Sequence, residues 1–431
     1  MNAPRSAALR FAVLYDLGAV PAGEIGAGLA DLGDVVFLVP AGSVHVEQLR
    51  PVMEMLGAVH TLSGHPEADG ELIRRIAPDA VLTFCDALVR QAAVLSASAG
   101  VPGPGERTAR LFTDKVSQRK ALRESGVELI RTAPIASLAD WDAATTAVGL
   151  PAIVKPASGT LSLNTFAVHT PEERAEVFRL LQNLHSAGRW TPFITEEFLQ
   201  GRPSQPFGDY VSVESVCTPR GITHLVITDK TPVLPPFRGT GRIWPSHLPA
   251  DEQREILELV SRALQAVGAD RGLTHTEVKL TVDGPRIIEV NGRISGYVNM
   301  MARESCGVDL VRAAALVALG HDPDVVPFDF GGKVHFQYNN LAPLRPCRLE
   351  GVTGTDTVRA LPGVTAYRAF VRPGTDLPGG TTTRTLDTVS GFGGDHDEVL
   401  ATIDAARTAL SFDLRFEDGA RRLTGHELSL C

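Results

Sequence analysis

Three oxygen-bearing side chains fall at spacings that could gather a divalent cation. The stretch THTEVKLTVDGPRIIEVNGR (274–293) alternates apolar and polar residues at period two, breaks at Asp283-Gly284 and then resumes. That is the pattern of a β-hairpin. A three-residue loop, Val282-Asp283-Gly284 with glycine in the left-handed position, sets Glu277 opposite Glu289 and His275 opposite Asn291. Like charges directly opposed destabilise a ladder. A hard cation removes that penalty, because Mg2+ (or Mn2+) takes one or two carboxylates together with substrate phosphates. Glu277, Glu289 and Asn291 are therefore the candidate metal ligands. The competing reading is a solvated polar face on an edge hairpin; Arg293, with Gly292, Ser295 and Gly296 around it, weighs against that. His275 shares the face and could equally be a packed core histidine.

Two lysines are candidates for phosphate. Lys155 ends the apolar run LPAIVKP, beside the polar loop 157–165 that begins Ala157-Ser158-Gly159, whose backbone amides could cover an anion. Lys115 is the second; alone, either reads more simply as a surface residue. There is no GxxxxGK[ST] and no GxGxxG. The run Glu196-Glu197-Phe198-Leu199 suits a nucleotide, with polar edges on carboxylate or backbone groups and the base between apolar side chains, although a strand ending in surface acids fits it as well. Gly391-Phe-Gly-Gly394 reads as a turn. No Ser/His/Asp order, HExxH or partnered cysteine is present.

The elements that must position these groups follow an α/β plan. At 431 residues with 44% hydrophobic content the chain is long enough for two to four domains. A net charge of −9 argues against general nucleic-acid binding. Five scattered cysteines (Cys85, Cys217, Cys306, Cys347, Cys431) fit a reduced, cytoplasmic protein. No signal peptide and no membrane-spanning run is expected. Apolar runs at 11–15, 35–39 and 80–84, with helical stretches between, predict a parallel sheet over 8–105, closed by Val101-Pro-Gly-Pro-Gly105. Helices are expected near 114–125, 251–267, 297–319 and 397–410, and strands at 150–156, 192–199 and 210–216. Residues 231–249 show no periodicity, and after Phe330 short strands and turns suggest a smaller α+β unit.

In order along nearly the whole chain come VLTFCDALVRQAAVLSASAGVPGPG (81–105), TDKVSQRKALRESGV (113–127), LPAIVKPASG (150–159), ITEEFLQG (194–201), YVSVESV (210–216), ITDKT (227–231), HTEVKLTVDGPRIIEVNGRISG (275–296) and LPGVTAYRAFVRPG (361–374). Together these resemble the ATP-grasp superfamily, and within it the carboxylate–amine ligases that include L-amino-acid (dipeptide) ligases. The resemblance implies an α/β and α+β chain: a Rossmann-like domain over 1–105, an ATP-grasp module over 106–330 with a lid at about 140–205, and a C-terminal subdomain over 331–431. It implies ATP, with Lys115 and Lys155 at phosphates, Ser158, Gly159 and Lys230 in the cofactor site, and Glu196, Glu197, Phe198 and Leu199 at adenine, partly through backbone groups. For the ribose it leaves Asp209 or Glu214. Arg293, with Lys155, would be catalytic, and Arg293, Ser295 and Gly296 would meet substrate. The implied reaction joins a small carboxylate and an amine through an acyl phosphate, with the 156–165 loop as lid. Carboxylation through carboxyphosphate, as in biotin carboxylase-like members, and a non-catalytic ATP-binding module are the alternatives. A homodimer is left open. Two departures stand out. The lid has one glycine, and where many dipeptide ligases carry Glu-x-Gly-His this chain has Gly239 and Arg242. Arg242 and Trp244 are thus expected at the substrate, and the acyl donor is expected to lack a free ammonium or to carry an extra anion.

Overall fold

Phe11–Leu14 and Val35–Val39 are apolar at every position and buried throughout, as strands covered on both faces must be. They lie in β1 (Leu9–Leu14) and β2 (Gly33–Pro40), which with β3 (Ala58–Leu62) and β4 (Ala80–Thr83) make a parallel sheet of order β3-β2-β1-β4. This computed structural model describes residues 8–160, 162–380 and 383–428. The seven N-terminal residues, Leu161 of the expected lid loop and Cys431 lie outside the described residues.

β5 (Thr132–Ile135), β6 (Ala152–Pro156), β7 (Phe166–Val168) and β8 (Phe193–Glu197) form an antiparallel sheet of order β5-β8-β6-β7. Helices Trp141–Val148 and Pro171–Ser186 share its core around Trp141, Val154, Leu181 and Phe193. This sheet begins at Thr132.

The remaining strands are β9 (Tyr210–Thr218), β10 (Gly221–Lys230), β11 (Gly241–Trp244), β12 (Gly272–Thr281), β13 (Gly284–Asn291), β14 (Val334–Leu341), β15 (Cys347–Thr353), β16 (Val364–Ala369), β17 (Thr375–Leu377), β18 (Thr385–Gly393), β19 (Ser411–Phe416) and β20 (Gly419–Thr424). Eight of them form one sheet of order β13-β12-β9-β10-β11-β14-β18-β16, and β17-β15-β19-β20 form a smaller one. The C-terminal hundred residues therefore extend the central sheet through the β11–β14 pairing as well as building a layer of their own. Helices Val298–Cys306 and Leu310–Ala318 join one face of this sheet to the N-terminal domain, and Ala250–Ala266 covers the other face. The single helix expected over 297–319 is broken by Gly307 (φ 71°) and restarted by Asp309, whose side chain caps it. Gly391–Gly393 close β18 instead of forming a turn, and a Cβ at Gly391 would lie 2.0 Å from the Gly363 carbonyl. Among the described residues no helix is long and apolar enough to cross a membrane.

Candidate active site

The β12–β13 ladder pairs Glu277 with Glu289 and His275 with Asn291, by a different route from the expected one. The loop has two residues, Val282 and Asp283, with Thr281 opposite Gly284. That turn alone would set Glu277 against Ile288. An irregularity between Glu277 and Val278 skips Ile288 as a bulge and restores Glu277 to Glu289.

Side chains of the helix Lys115–Glu124 hold the bulge. β13 is an edge strand, and its outward backbone groups need partners. Arg119 donates to the carbonyls of Ile287 (2.8 Å) and Ile288 (2.7 Å). Gln118 brackets Val290, accepting from its N–H (3.0 Å) and donating to its carbonyl (2.7 Å). Glu128 accepts from the Ile287 N–H. Asp114 caps the helix by accepting from the Ser117 N–H.

The same Arg119 forks onto Glu196 of β8 (3.0 and 2.9 Å), and Lys155 Nζ reaches that carboxylate at 2.9 Å. Burial works to raise the Glu196 pKa, but the two cations outweigh it and hold the group down at about 2. Burial lowers Lys155 more than Glu196 raises it. Lys115 Nζ lies 2.9 Å from Glu289 and donates to the Gly159 carbonyl at 3.2 Å; burial opposes its charge, and Glu289 overcomes that, for a net upward shift. Ser158 Oγ donates to the Thr113 carbonyl (2.8 Å). The Glu196 carboxylate, expected at the adenine, is 4% exposed and bound within an ion cluster with Arg119 and Lys155. Glu197, Phe198 and Leu199 stay partly exposed past it, with Glu197 bound to Arg131 and Phe198 against the His169 ring.

At the other end of the hairpin, Arg293 Nε donates to Asp86 of the N-terminal domain (2.9 Å). His275 lies between two carboxylates, Nδ1 at 2.6 Å from Glu214 and Nε2 at 3.3 Å from Glu277. Burial disfavours its charge, yet Glu214 and Glu277 together raise its pKa. Glu277 is held at about 2, where His275 and the nearby Lys230 and Arg293 outweigh burial. The Ser295 N–H donates to Glu214 (3.2 Å), and Arg242 donates to the Gly296 carbonyl.

Two of the expected site residues are buried. Glu214 is wholly buried and bound to His275 and Ser295, whereas Asp209, at the mouth of β9 beside Lys279 (2.7 Å), keeps about a third of its side chain exposed. Trp244 does not line a substrate pocket. Its side chain is fully buried, with Phe328 and Phe330 against it in the core shared with the N-terminal domain.

For a metal, the hairpin offers two opposed carboxylates and the Asn291 amide, which has no hydrogen-bond partner among the described residues. Among those residues no cluster of three or more His, Cys, Asp or Glu side chains suited to a metal occurs. Two carboxylates with one neutral oxygen fit a Mg2+ whose remaining positions go to phosphates and water, and do not fit an all-protein cage.

Residues 148–300 match the family model of the ATP-grasp domain. That span carries the ATP-grasp domain. Alanine--anticapsin ligase of Bacillus subtilis (strain 168) is 28% identical over 296 residues, which cover 65% of this chain and 58% of that protein. The chain thus spans little more than half the length of that curated relative. The L-amino acid ligase of Bacillus licheniformis superposes with a TM-score of 0.73 at 19% identity, covering 94% of this chain and 98% of that one. The biotin carboxylase domain of the Hydrogenobacter thermophilus 2-oxoglutarate carboxylase, crystallised with MgADP, ADP and bicarbonate, superposes with a TM-score of 0.67 at 15% identity, covering 96% and 91%. These two likenesses show a fold shared over nearly the whole chain.

The matched span of the ATP-grasp domain contains the hairpin, Lys155 and Glu196 but not Lys115, Gln118, Arg119 or Asp86. Sequence reading missed the last three. Gln118 and Arg119 stand within the quoted segment 113–127, and Asp86 within 81–105. Each meets its partner across 77 to 207 residues, a separation that no local pattern reports.

Proposed function

We propose that the protein is an ATP-dependent carboxylate–amine ligase. One observation carries the reading: Glu277 and Glu289 are directly opposed on the sheet face, with Lys115 on Glu289 and Arg293 close enough to help hold Glu277 ionised. Such an arrangement suits a substrate that brings phosphate oxygens and a carboxylate to the same place.

Glu277, Glu289 and Asn291 would hold Mg2+, which would supply neutralisation of phosphate charge. Lys155 and Lys115 bind phosphate oxygens, and Lys155 keeps its ammonium poised through Glu196. The ends of Glu197, Phe198 and Leu199 receive the adenine, and Asp209 the ribose. Arg293, oriented by Asp86, grips the substrate carboxylate with a planar fork. A carboxylate oxygen attacks the γ-phosphorus, the β–γ bridging bond breaks and ADP leaves. The amine then attacks the acyl carbon, the C–O bond to phosphate breaks, and an amide, phosphate and a proton are released. The 156–165 segment beside Lys115 excludes water, which protects the mixed anhydride from hydrolysis. A screen of ADP release over carboxylate and amine pairs tests this, with bicarbonate as a separate arm. Release that depends on both partners supports the ligase; release that depends on bicarbonate alone overturns it.

A further inference from the structure

A second like-charge pair lies on the same sheet face as the two glutamates. Lys230 of β10 and Arg242 of β11 are direct cross-strand partners. Gln337 of β14 stands opposite Arg242, and Ser390 of β18 opposite Gln337, so the four make one lateral row. Thr228, two residues before Lys230, pairs with Ser212, and Ser212 pairs with Glu277, which puts row and glutamates on one face.

This row is rich in donors and poor in acceptors. Lys230 is 6% exposed and has no hydrogen-bond or ion-pair partner among the described residues. Arg242 donates to the Gly296 carbonyl and lies over the Tyr297 ring (5.8 Å), while its Nε is buried without a partner. Gln337 is 1% exposed with both amide atoms unpartnered among the described residues, and the Ser390 hydroxyl is buried and likewise unpartnered among them. Glu214, a nearby carboxylate, is already bound by His275 and Ser295. Opposed cations destabilise a ladder, and buried charge without a counter-charge is costly. Burial first, and Arg242 second, push the Lys230 ammonium down to about 8, against the weaker upward pull of Glu214, Glu277 and Asp229.

Contact with Gly296 ties the row to the segment that follows Arg293. We propose that Arg242, Gln337 and Lys230, the last in place of the cofactor role the resemblance implied for it, form a subsite for a second anionic group on the acyl donor, distinct from the carboxylate that Arg293 presents for activation. The inference rests on the ligase reading and narrows it: the donor is a dianion whose second group is a carboxylate or a phosphate-like oxyanion.

With one amine acceptor held fixed, ADP release is measured for butyrate and valerate against succinate, glutarate and 3-phosphonopropionate. Dianions are expected to exceed monoanions in kcat/KM by about 10- to 100-fold, the worth of one or two charge-assisted hydrogen bonds. Arg242→Gln and Lys230→Met are expected to erase most of that ratio through KM, and Gln337→Leu a smaller part. Succinate or glutarate ahead of the phosphonate assigns the second group as carboxylate; the reverse order assigns it as phosphate. Calorimetric binding of the same dianions to the wild-type protein with Mg2+ and ADP needs no turnover and no variant, and is expected to be tighter than for butyrate. Equal turnover and equal binding of monoanions and dianions overturns the subsite and leaves the ligase standing. Preferential dianion binding without ADP release from any pair overturns the ligase reading and leaves the subsite.

Discussion

Replacing Glu196 with glutamine leaves Arg119 and Lys155 facing each other in a buried site without the carboxylate they share. Arg119 and Glu196 side chains are each 4% exposed and Lys155 is 9% exposed, so solvent screens the cluster little. The Glu196 carboxyl moves from an ordinary 4.5 to about 2 on folding. At 1.36 kcal/mol per unit that corresponds to about 3 kcal/mol at neutral pH. Breaking a buried ion pair from one side costs about 3–5 kcal/mol by a separate line of reasoning. The sign follows from the depressed value: the stabilisation is complete above about pH 4.5 and is lost as pH falls through about 2. Urea unfolding of wild type and Glu196→Gln at pH 7 should differ by about 3 kcal/mol, with a gap that narrows below pH 4.5. Adding Arg119→Met to Glu196→Gln should recover part of the loss, because one unpaired cation goes, although the Ile287 and Ile288 carbonyls lose their donor. A difference below about 1 kcal/mol, or one that ignores pH, would refute the charge-cluster reasoning.

Asp86→Asn removes the carboxylate that holds Arg293 and should raise KM for the carboxylate substrate by about 10- to 100-fold with a smaller change in kcat; steady-state kinetics in which KM for the amine alone moves would contradict that placement. Asp387 is 1% exposed, and burial pushes its pKa up to about 6 despite hydrogen bonds from Asn340 and Tyr367. A raised carboxyl value means the native state holds the extra proton, so stability falls as pH rises from about 4 to 6. Asp387→Asn should flatten that slope, worth on the order of 3 kcal/mol, in denaturation midpoints taken between pH 4 and 7.5. Gln118→Leu should strip the Val290 N–H and carbonyl of their partners, at a cost of about 1–3 kcal/mol, and lower ADP release by disturbing the Glu289 register; unchanged stability and turnover would show that the edge of β13 needs no cover.

Much of the architecture was legible because it rests on local periodicity. The apolar runs at 11–15 and 35–39 are buried strands, and the Glu277–Glu289 pairing followed from the spacing of the alternation. The turn did not follow, since a three-residue loop and a two-residue loop with one bulge give the same pairing beyond the bulge. What selects the bulge is Arg119, which is far away in sequence. β11 was missed because Gly241-Arg-Ile-Trp244 is four residues long in a Pro/Gly-rich stretch, and its strand character comes from β10 and β14 on either side. That short strand also explains why the C-terminal residues read as separate: the link to the central sheet is pairing, not pattern. Trp244 looked like a pocket residue by its place beside Arg242, yet residues i and i+2 on one strand share a face without sharing surroundings. Arg242 reaches Gly296, whereas Trp244 meets Phe328 and Phe330.

The most direct test of the central claim is ADP release with Mg2+, ATP, a carboxylate and an amine, each organic partner also omitted in turn. ADP, phosphate and amide are expected in equal amounts, only when both partners are present, and none from Glu289→Gln. ADP release that needs neither amine nor carboxylate, or that persists in Glu289→Gln at the wild-type rate, would contradict it.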